Sequence, residues 1–473
     1  MGGPGDRRRW ATGWAWGLAL NCLCGQSFAQ TPGQEISADA LPPDVAAFFG
    51  AVPEEPRAPI PRIVEAIEVI GNDKTARTVI TGFLSLSPGE LVDESAIEES
   101  RIRLLSTGFF RSVEFRLRRG SSRGWVLLVV EVVERNTLRI ENLAFGFGPG
   151  HAPFAAIGLA ESNFLGRGVS VSGAIAIGED RHGGELRFFV PALSGTPIQV
   201  AGSALWLVGK ESISSQLGFD GPQLGYERAG GSLAFGFSSG PAQRISLIYR
   251  LESITVDRLP NLDPPVLRQA PSVLGDHSLL STLALTWERD TRDDALAPTR
   301  GSRLALGVEV GTSLLGSDYE HSKYTGEALS AMHVVNGQAL VLHVFGGLIQ
   351  GRAPFFSQFF RRDHAYFSYD GNALPRAVQL NFGENNDYDD VIVDAGAEYD
   401  VPIYSNPTGL LSRVILYGAA SFTATGSLDE SQDDLGGRGA FGTFPITADV
   451  GLKLDSVIGR FTLSGAYALD LAL

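Results

Sequence analysis

Residues 288–310 read "ERDTRDDALAPTRGSRLALGVEV". Seven charged side chains crowd the first thirteen residues, and Pro298 and Gly301 break the chain. Beyond Gly301 the pattern changes. Leu304, Leu306, Val308 and Val310 alternate with Arg303, Ala305, Gly307 and Glu309. A period of two puts these sets on opposite faces of one β-strand. One face needs an apolar neighbour and the other accepts charge. The charged run in front reads as a tight reversal, with Pro298 and Gly301 setting the turn.

The same texture fills the chain from residue 136 onward. In residues 461–473, Phe461, Leu463, Tyr467, Leu469, Leu471 and Leu473 share one parity, while Thr462, Ser464 and Asp470 take the other. Ile446, Ala448, Val450, Leu452 and Leu454 oppose Thr447, Asp449, Gly451 and Lys453. Ile245, Leu247, Tyr249 and Leu251 oppose Arg244, Ser246, Arg250 and Glu252, with Ile248 as the exception. Val391, Val393, Tyr399 and Val401 oppose Asp394, Glu398 and Asp400, with Ile392 as the exception. These segments run to about 9–14 residues, the length a tilted membrane-spanning strand needs. A soluble sandwich also alternates, but it would leave such a sheet with open edges that a closed barrel removes. No apolar run reaches the ~20 residues of a spanning helix. The longest in the body, "VLLVVEVV" at residues 126–133, has strand length. The expected fold is mainly β: a transmembrane antiparallel β-barrel of residues 136–473, preceded by a small α+β domain.

Residues 1–29 read as a secretory signal. Arg7, Arg8 and Arg9 make a basic start, residues 10–23 an apolar stretch, and Ser27-Phe28-Ala29 a small-residue cleavage site. Both cysteines, Cys22 and Cys24, lie in this segment, so disulfides and thiol chemistry are not expected in the mature chain. Without Asp6 and the three arginines, the 38 basic and 53 acidic residues become 35 against 52, a net charge of −17. That acidity opposes nucleic-acid binding. Residues 30–61 are a Pro-rich linker with one short helix near residues 43–49. Residues 62–135 read as strand, helix, helix, strand, strand. The first helix is expected over residues 75–84. The second is capped by Asp93 or Ser95, carries Ile97, Ile102, Leu104 and Leu105, and ends at Gly108. A hairpin follows around "RRGSSRG".

The opening stretch resembles the turn-and-strand signature of the BamA/TamA-type outer-membrane assembly and translocation family. Asp290, Arg292, Asp293, Pro298, Thr299, Gly301 and Ser302 match it in order. Residues 62–135 resemble that family's POTRA domain. Gly71, Asn72 and Thr75 carry its first turn, and Thr107, Gly108, Phe109, Phe110 and Val113 its helix-end motif. "ESNFLGRG" at residues 161–168 is similar to the turn after an early barrel strand. The resemblance implies an outer-membrane barrel of 15 or 16 strands and one POTRA domain in the periplasm. Its implied partners are outer-membrane lipid and unfolded or secreted polypeptide clients, with periplasmic chaperones or lipoproteins beside them. The POTRA edge at residues 113–117 would receive a client strand. The barrel would open at a seam between its first strand, near residues 140–148, and its last. The family's sixth external loop carries an Arg-Gly-aromatic motif that pairs with acids on the following strands. Here "FFRRDHAYFSYDGNALPRAV" has no such motif. Glu398 holds one acidic place, Gly418 stands at the other, and Arg361, Arg362 or Arg376 could substitute for the arginine.

Counted against the family, the opening stretch joins strands eight and nine, and residues 460–473 are the fifteenth. None is left for a sixteenth, so the last segment is expected to pair with the first strand region. The acidic "GENNDYDD" at residues 383–390 lacks the spacing of a calcium loop, and no histidine pair occurs, so no metal or cofactor is expected. "GFSSG" at residues 236–240 lacks the strand-turn-helix context of a nucleophile elbow, so no enzyme is expected. Two functional readings stay open. One is assembly or translocation of polypeptides; the other is a passive channel or surface scaffold without insertase activity.

Overall fold

In residues 62–135 the hairpin that the sequence announces becomes the middle and one edge of a sheet. A computed structural model describes residues 62–107, 109–148, 151–191, 196–212, 223–239, 242–257, 272–294, 297–360, 388–406, 409–428, 444–456 and 459–471. The chain divides into two compact units, meeting in sequence at Asn136 and Thr137.

The first unit contains β1 (Ile63–Ile70), α1 (Arg77–Gly82), α2 (Glu94–Ser106), β2 (Phe110–Arg119) and β3 (Trp125–Glu134). β3 lies between a parallel β1 and an antiparallel β2. The helices and sheet close over Val64, Ile80, Leu104, Phe110, Leu128 and Val130. α1 is shorter than the expected 75–84 because Ala76 is extended and Thr75 N–H is held by Glu134 Oε1 at 2.6 Å. α2 is capped by Asp93, whose carboxylate accepts from Ser95 N–H at 3.1 Å. The Ser95 hydroxyl, first, and then its backbone N–H hold the Asp93 carboxyl below its ordinary value. The contribution of this cap is present at neutral pH and is lost as pH falls through the depressed value. Ile102, expected on the apolar face, is half exposed, because two residues along a helix from buried Leu104 is nearly the opposite side.

The second unit is one antiparallel sheet of fifteen strands in the described residues, all but one junction joining strands consecutive in sequence. They are β4 (Leu138–Gly148), β5 (His151–Phe164), β6 (Val169–Gly178), β7 (Arg181–Val190), β8 (Ile198–Ser212), β9 (Gln223–Ser238), β10 (Gln243–Val256), β11 (Asp276–Asp290), β12 (Gly301–Gly311), β13 (His321–His333) and β14 (Ala339–Gly351). Among the described residues two short strands, β15 (Phe359–Phe360) and β16 (Tyr388–Asp389), pair only with each other. β17 (Val391–Ser405), which pairs with β14, β18 (Leu411–Gly426), β19 (Phe444–Ser456) and β20 (Gly459–Leu471) complete the sheet. The opening stretch thus joins the eighth and ninth strands of a barrel. The expected barrel had 15 or 16 strands; the described residues form 15. The ends of the sheet, β4 and β20, come within 8 Å Cα to Cα, and no ladder between them is found among the described residues.

The two parities part as the sequence reading expects. In β12 Leu304, Leu306, Val308 and Val310 are exposed on the outer face, opposite Arg289, Trp287, Leu285 and Leu283 of β11. Ile245, Leu247, Tyr249 and Leu251 are exposed on β10, and Val450 on β19. Thr447, Asp449 and Lys453 of β19 are buried on the other face. Such an apolar exterior is stable only against lipid. Leu306 lies midway along β12, so Leu306→Arg is expected to lower folding stability in vesicles by about 2–4 kcal/mol. An unchanged urea midpoint would place Leu306 away from lipid.

Candidate functional site: the inner face and the POTRA edge

In the POTRA domain the motif residues build structure. Gly71 has φ +85°, and a Cβ there would meet Val132 O at 2.1 Å. Asn72 Nδ2 donates to Thr75 O at 3.0 Å, and the Glu134 carboxylate takes the N–H groups of Lys74 and Thr75 at 2.9 and 2.6 Å. The turn is therefore clamped to the end of β3. Phe109, Phe110 and Val113 are buried in the core, the two rings meeting edge to face at 6.1 Å. Gly108 lies outside the described residues. What remains available is the edge. Among the described residues β2 pairs only with β3, so its other side offers an edge to an incoming strand.

The charged turn is organised by Asp293. Its carboxylate accepts from the N–H groups of Thr299 at 2.9 Å and Arg300 at 3.2 Å, and from the Thr299 hydroxyl. Asp290 takes the backbone N–H and guanidinium of Arg292 at 2.8–3.1 Å. Gly301, at φ +101°, lies where a Cβ would meet Thr291 O at 2.3 Å. Pro298 is buried. The earlier "ESNFLGRG" turn is closed by Asn163 Oδ1, which accepts Gly168 N–H at 2.8 Å.

Among the described residues the inner face carries several charge systems, three of which follow. Arg303 donates to Glu288 and Glu327, each at 2.7 Å. On β9 and β10, Arg228 and Arg250 share Glu252; Arg228 is 1% exposed, and its nearest contact to Glu252 is 2.7 Å. On β17, Glu398 and Asp400 are buried beside Lys453 of β19. The ammonium donates to Glu398 and, at 3.2 Å, to both oxygens of Asp400, and lies 5.0 Å from the Tyr417 ring. Tyr417 OH donates to Asp449 at 3.0 Å.

The sequence reading put Glu398 at one acidic place and Gly418 at the other. Gly418 lies on the exposed parity of β18 with Leu416, whereas Tyr417, opposite Asp400, is buried. The described cation beside Glu398 is a wall lysine. Lys453 was legible as the cationic member of its strand's polar parity; its reach to Glu398 depends on the register of β17, β18 and β19. Arg361, Arg362 and Arg376 lie outside the described residues. So does most of the acidic 383–390 segment. Its Asp390 accepts Gln358 Nε2 at 3.0 Å.

The loop after β14 does turn inward where it is described. Phe355 is 1% exposed among Tyr226, Ile254, Leu280 and Tyr319. Phe356 lies 3.7 Å from the Arg228 guanidinium carbon, and Lys323 donates to Ser357 O at 2.7 Å. The loop contributes the aromatics and the wall the cations, a signal present in "PFFSQFF" but without a partner in the sequence. "GFSSG" sits at the end of β9 ahead of β10, with no helix in the described residues between them.

An antiparallel barrel with an apolar exterior and a charged interior, following a POTRA-like module, defines an outer-membrane barrel protein. Residues 163–471 match the Omp85 superfamily domain, and residues 63–135 match POTRA, described as the surface antigen variable number repeat. The chain belongs to the Omp85 superfamily. It is 22% identical over 310 residues to the outer membrane protein assembly factor BamA of Nitratidesulfovibrio vulgaris, covering 63% of this chain and 36% of that protein. Over 103 residues it is 32% identical to the BamA of Neorickettsia risticii, covering 22% of this chain and 14% of that protein. In fold it is similar to BamA from Haemophilus ducreyi lacking POTRA domains 1–3, with TM-score 0.58, 18% identity and 87% and 81% of the two chains covered. CdiB from Escherichia coli gives TM-score 0.58 at 10% identity, over 86% and 77%. The protein resides in the outer membrane, with its POTRA domain in the periplasm.

Proposed function

We propose that this protein assists the assembly, insertion or translocation of polypeptides at the outer membrane. The observation that carries the reading is a pair of sheet edges with no further ladder among the described residues, in a member of this superfamily: β2 of the POTRA domain, and the β4–β20 junction of the barrel. An extended client can add to β2 by backbone hydrogen bonding, with residues 113–117 as the receiving segment. The junction supplies a second edge at membrane depth, where each unpaired backbone group costs several kcal/mol, so a client strand is favoured there. The work is binding and templating without catalysis, on polypeptide clients in contact with lipid. Periplasmic chaperones or lipoproteins would deliver them. Depleting the protein and quantifying the outer-membrane proteome tests this. Selective loss of barrel or secreted proteins is expected. Normal barrel levels with altered permeability would instead favour the passive channel.

Two further results are expected. The mature chain begins at Gln30 by mass spectrometry, after cleavage at Ala29; an intact N-terminus would overturn the signal assignment. Cysteine pairs placed between residues 141–147 and 463–471 are expected to form disulfides, since β4 and β20 approach within 8 Å Cα to Cα. If none forms, the seam lies elsewhere.

A further inference from the structure

The turn between β11 and β12 does something that its neighbours at the same end of the barrel do not. The β13–β14 turn exposes Val334 and Val335 by about half, and the β17–β18 turn leaves Leu410 82% exposed. The β11–β12 turn instead buries Asp294 to 4% and Ala297 to 2%, with Pro298 buried beside them in sequence. Asp294 Oδ2 accepts from Nη2 of Arg413, at the start of β18, at 2.7 Å. The same guanidinium donates through Nε to Asp455 of β19 at 2.7 Å.

The sheet order gives this contact its meaning. Between β12 and β18 stand β13, β14 and β17. Four strand spacings follow the wall for about 19 Å, farther than an aspartate and an arginine can bridge along it. The turn must therefore leave the wall and cross the mouth of the lumen. Asp293, one residue earlier, holds the turn's own N–H groups, so the turn is a preformed loop and not a slack one. Both ions of the Asp294–Arg413 pair are largely buried, so salt screens the pair weakly.

We propose that the described residues of this turn, 291–294 and 297–300, form a strap across the periplasmic mouth, latched by Asp294 to Arg413 and through it to Asp455. The strap narrows the lumen and ties the eighth and ninth strands to the thirteenth and fourteenth as one body. Motion of the barrel is thereby confined to the part that includes the β4–β20 junction. Family membership supplies only the word periplasmic; the strap itself does not depend on the protein having polypeptide clients.

Ion conductance of the full-length protein in planar bilayers tests the latch, in a background where Cys22→Ser and Cys24→Ser remove other thiols. Asp294→Ala leaves Arg413 paired with Asp455, so the barrel should keep its heat-modifiable gel mobility while conductance rises severalfold. The pair Asp294→Cys with Arg413→Cys, joined by a reducible bifunctional thiol reagent about as long as the lost ion pair, separates a mechanical effect from a charge effect, because the joined and released forms differ in their tether and not in the substituted side chains. Cross-linking within one molecule is expected, with low conductance that rises severalfold on reduction. Wild-type conductance in a folded Asp294→Ala barrel overturns the strap. So does failure of the reagent to join the two cysteines, or equal conductance before and after reduction. None of these outcomes bears on client assembly, which the proteome experiment reads separately.

Discussion

Replacing Lys453 by methionine is expected to cost the barrel roughly 3–5 kcal/mol, the loss typical of removing one partner from a buried ion pair. The side chain is 7% exposed and lies between two carboxylates that are more deeply buried. Methionine keeps most of the volume and the packing on Tyr417, so the loss isolates the charge. Glu398 and Asp400 are then left facing each other away from water without a cation, which is the expensive half of the arrangement. The ion cluster need not itself be a net source of stability. Buried pairs often cost as much to desolvate as they return. The triple change Lys453→Met, Glu398→Gln, Asp400→Asn should therefore recover most of the loss, and the difference between single and triple variants measures the coupling. Urea unfolding in lipid vesicles reads both. A single variant that unfolds at the wild-type midpoint would mean that the two carboxylates are hydrated, and would remove the cluster from the barrel's interior.

The same cluster shows where sequence stops informing structure. Parity along one strand is local, and Leu304 to Val310 or Thr447 to Lys453 could be assigned to their faces from the period alone. The pairing of Lys453 with Glu398 is not local. It needs the register of three strands, and a slip of one residue reverses every face. The resemblance put Gly418 at the second acidic place, and the register turns its neighbour Tyr417 inward. Turn chemistry was half legible. Pro298 and Gly301 announced a reversal, but the hub is Asp293, and Asp294 crosses to a strand more than a hundred residues later. In the POTRA domain Asp93, one of two candidate caps, is the one used. The aromatic loop after β14 was visible as composition, yet nothing in the sequence pointed Phe356 at Arg228.

Gly71→Val is expected to remove most of the stability of the POTRA domain. Two independent costs meet at this residue. The first is backbone conformation: φ +85° is a region that a β-branched side chain avoids, at about 1–3 kcal/mol. The second is space. A Cβ would stand 2.1 Å from Val132 O, and that oxygen belongs to the central strand β3, which can move only by breaking its ladders to β1 and β2. The neighbouring clamp adds to the effect, because Glu134 must stay in register to hold Lys74 and Thr75 N–H. In a domain of this size each kcal/mol lowers Tm by roughly 4–8 °C. Residues 62–135 have a core of their own and can be melted alone. A fall well beyond 10 °C, or failure to fold, is expected at two or more kcal/mol of loss. Gly82→Val is the control: that glycine ends α1, a Cβ there meets nothing within 4 Å, and valine is no worse a helix former than glycine, so little or no loss is expected. Equal melting of the two variants would show that the Gly71 turn opens freely, and that the motif is held by something other than its backbone.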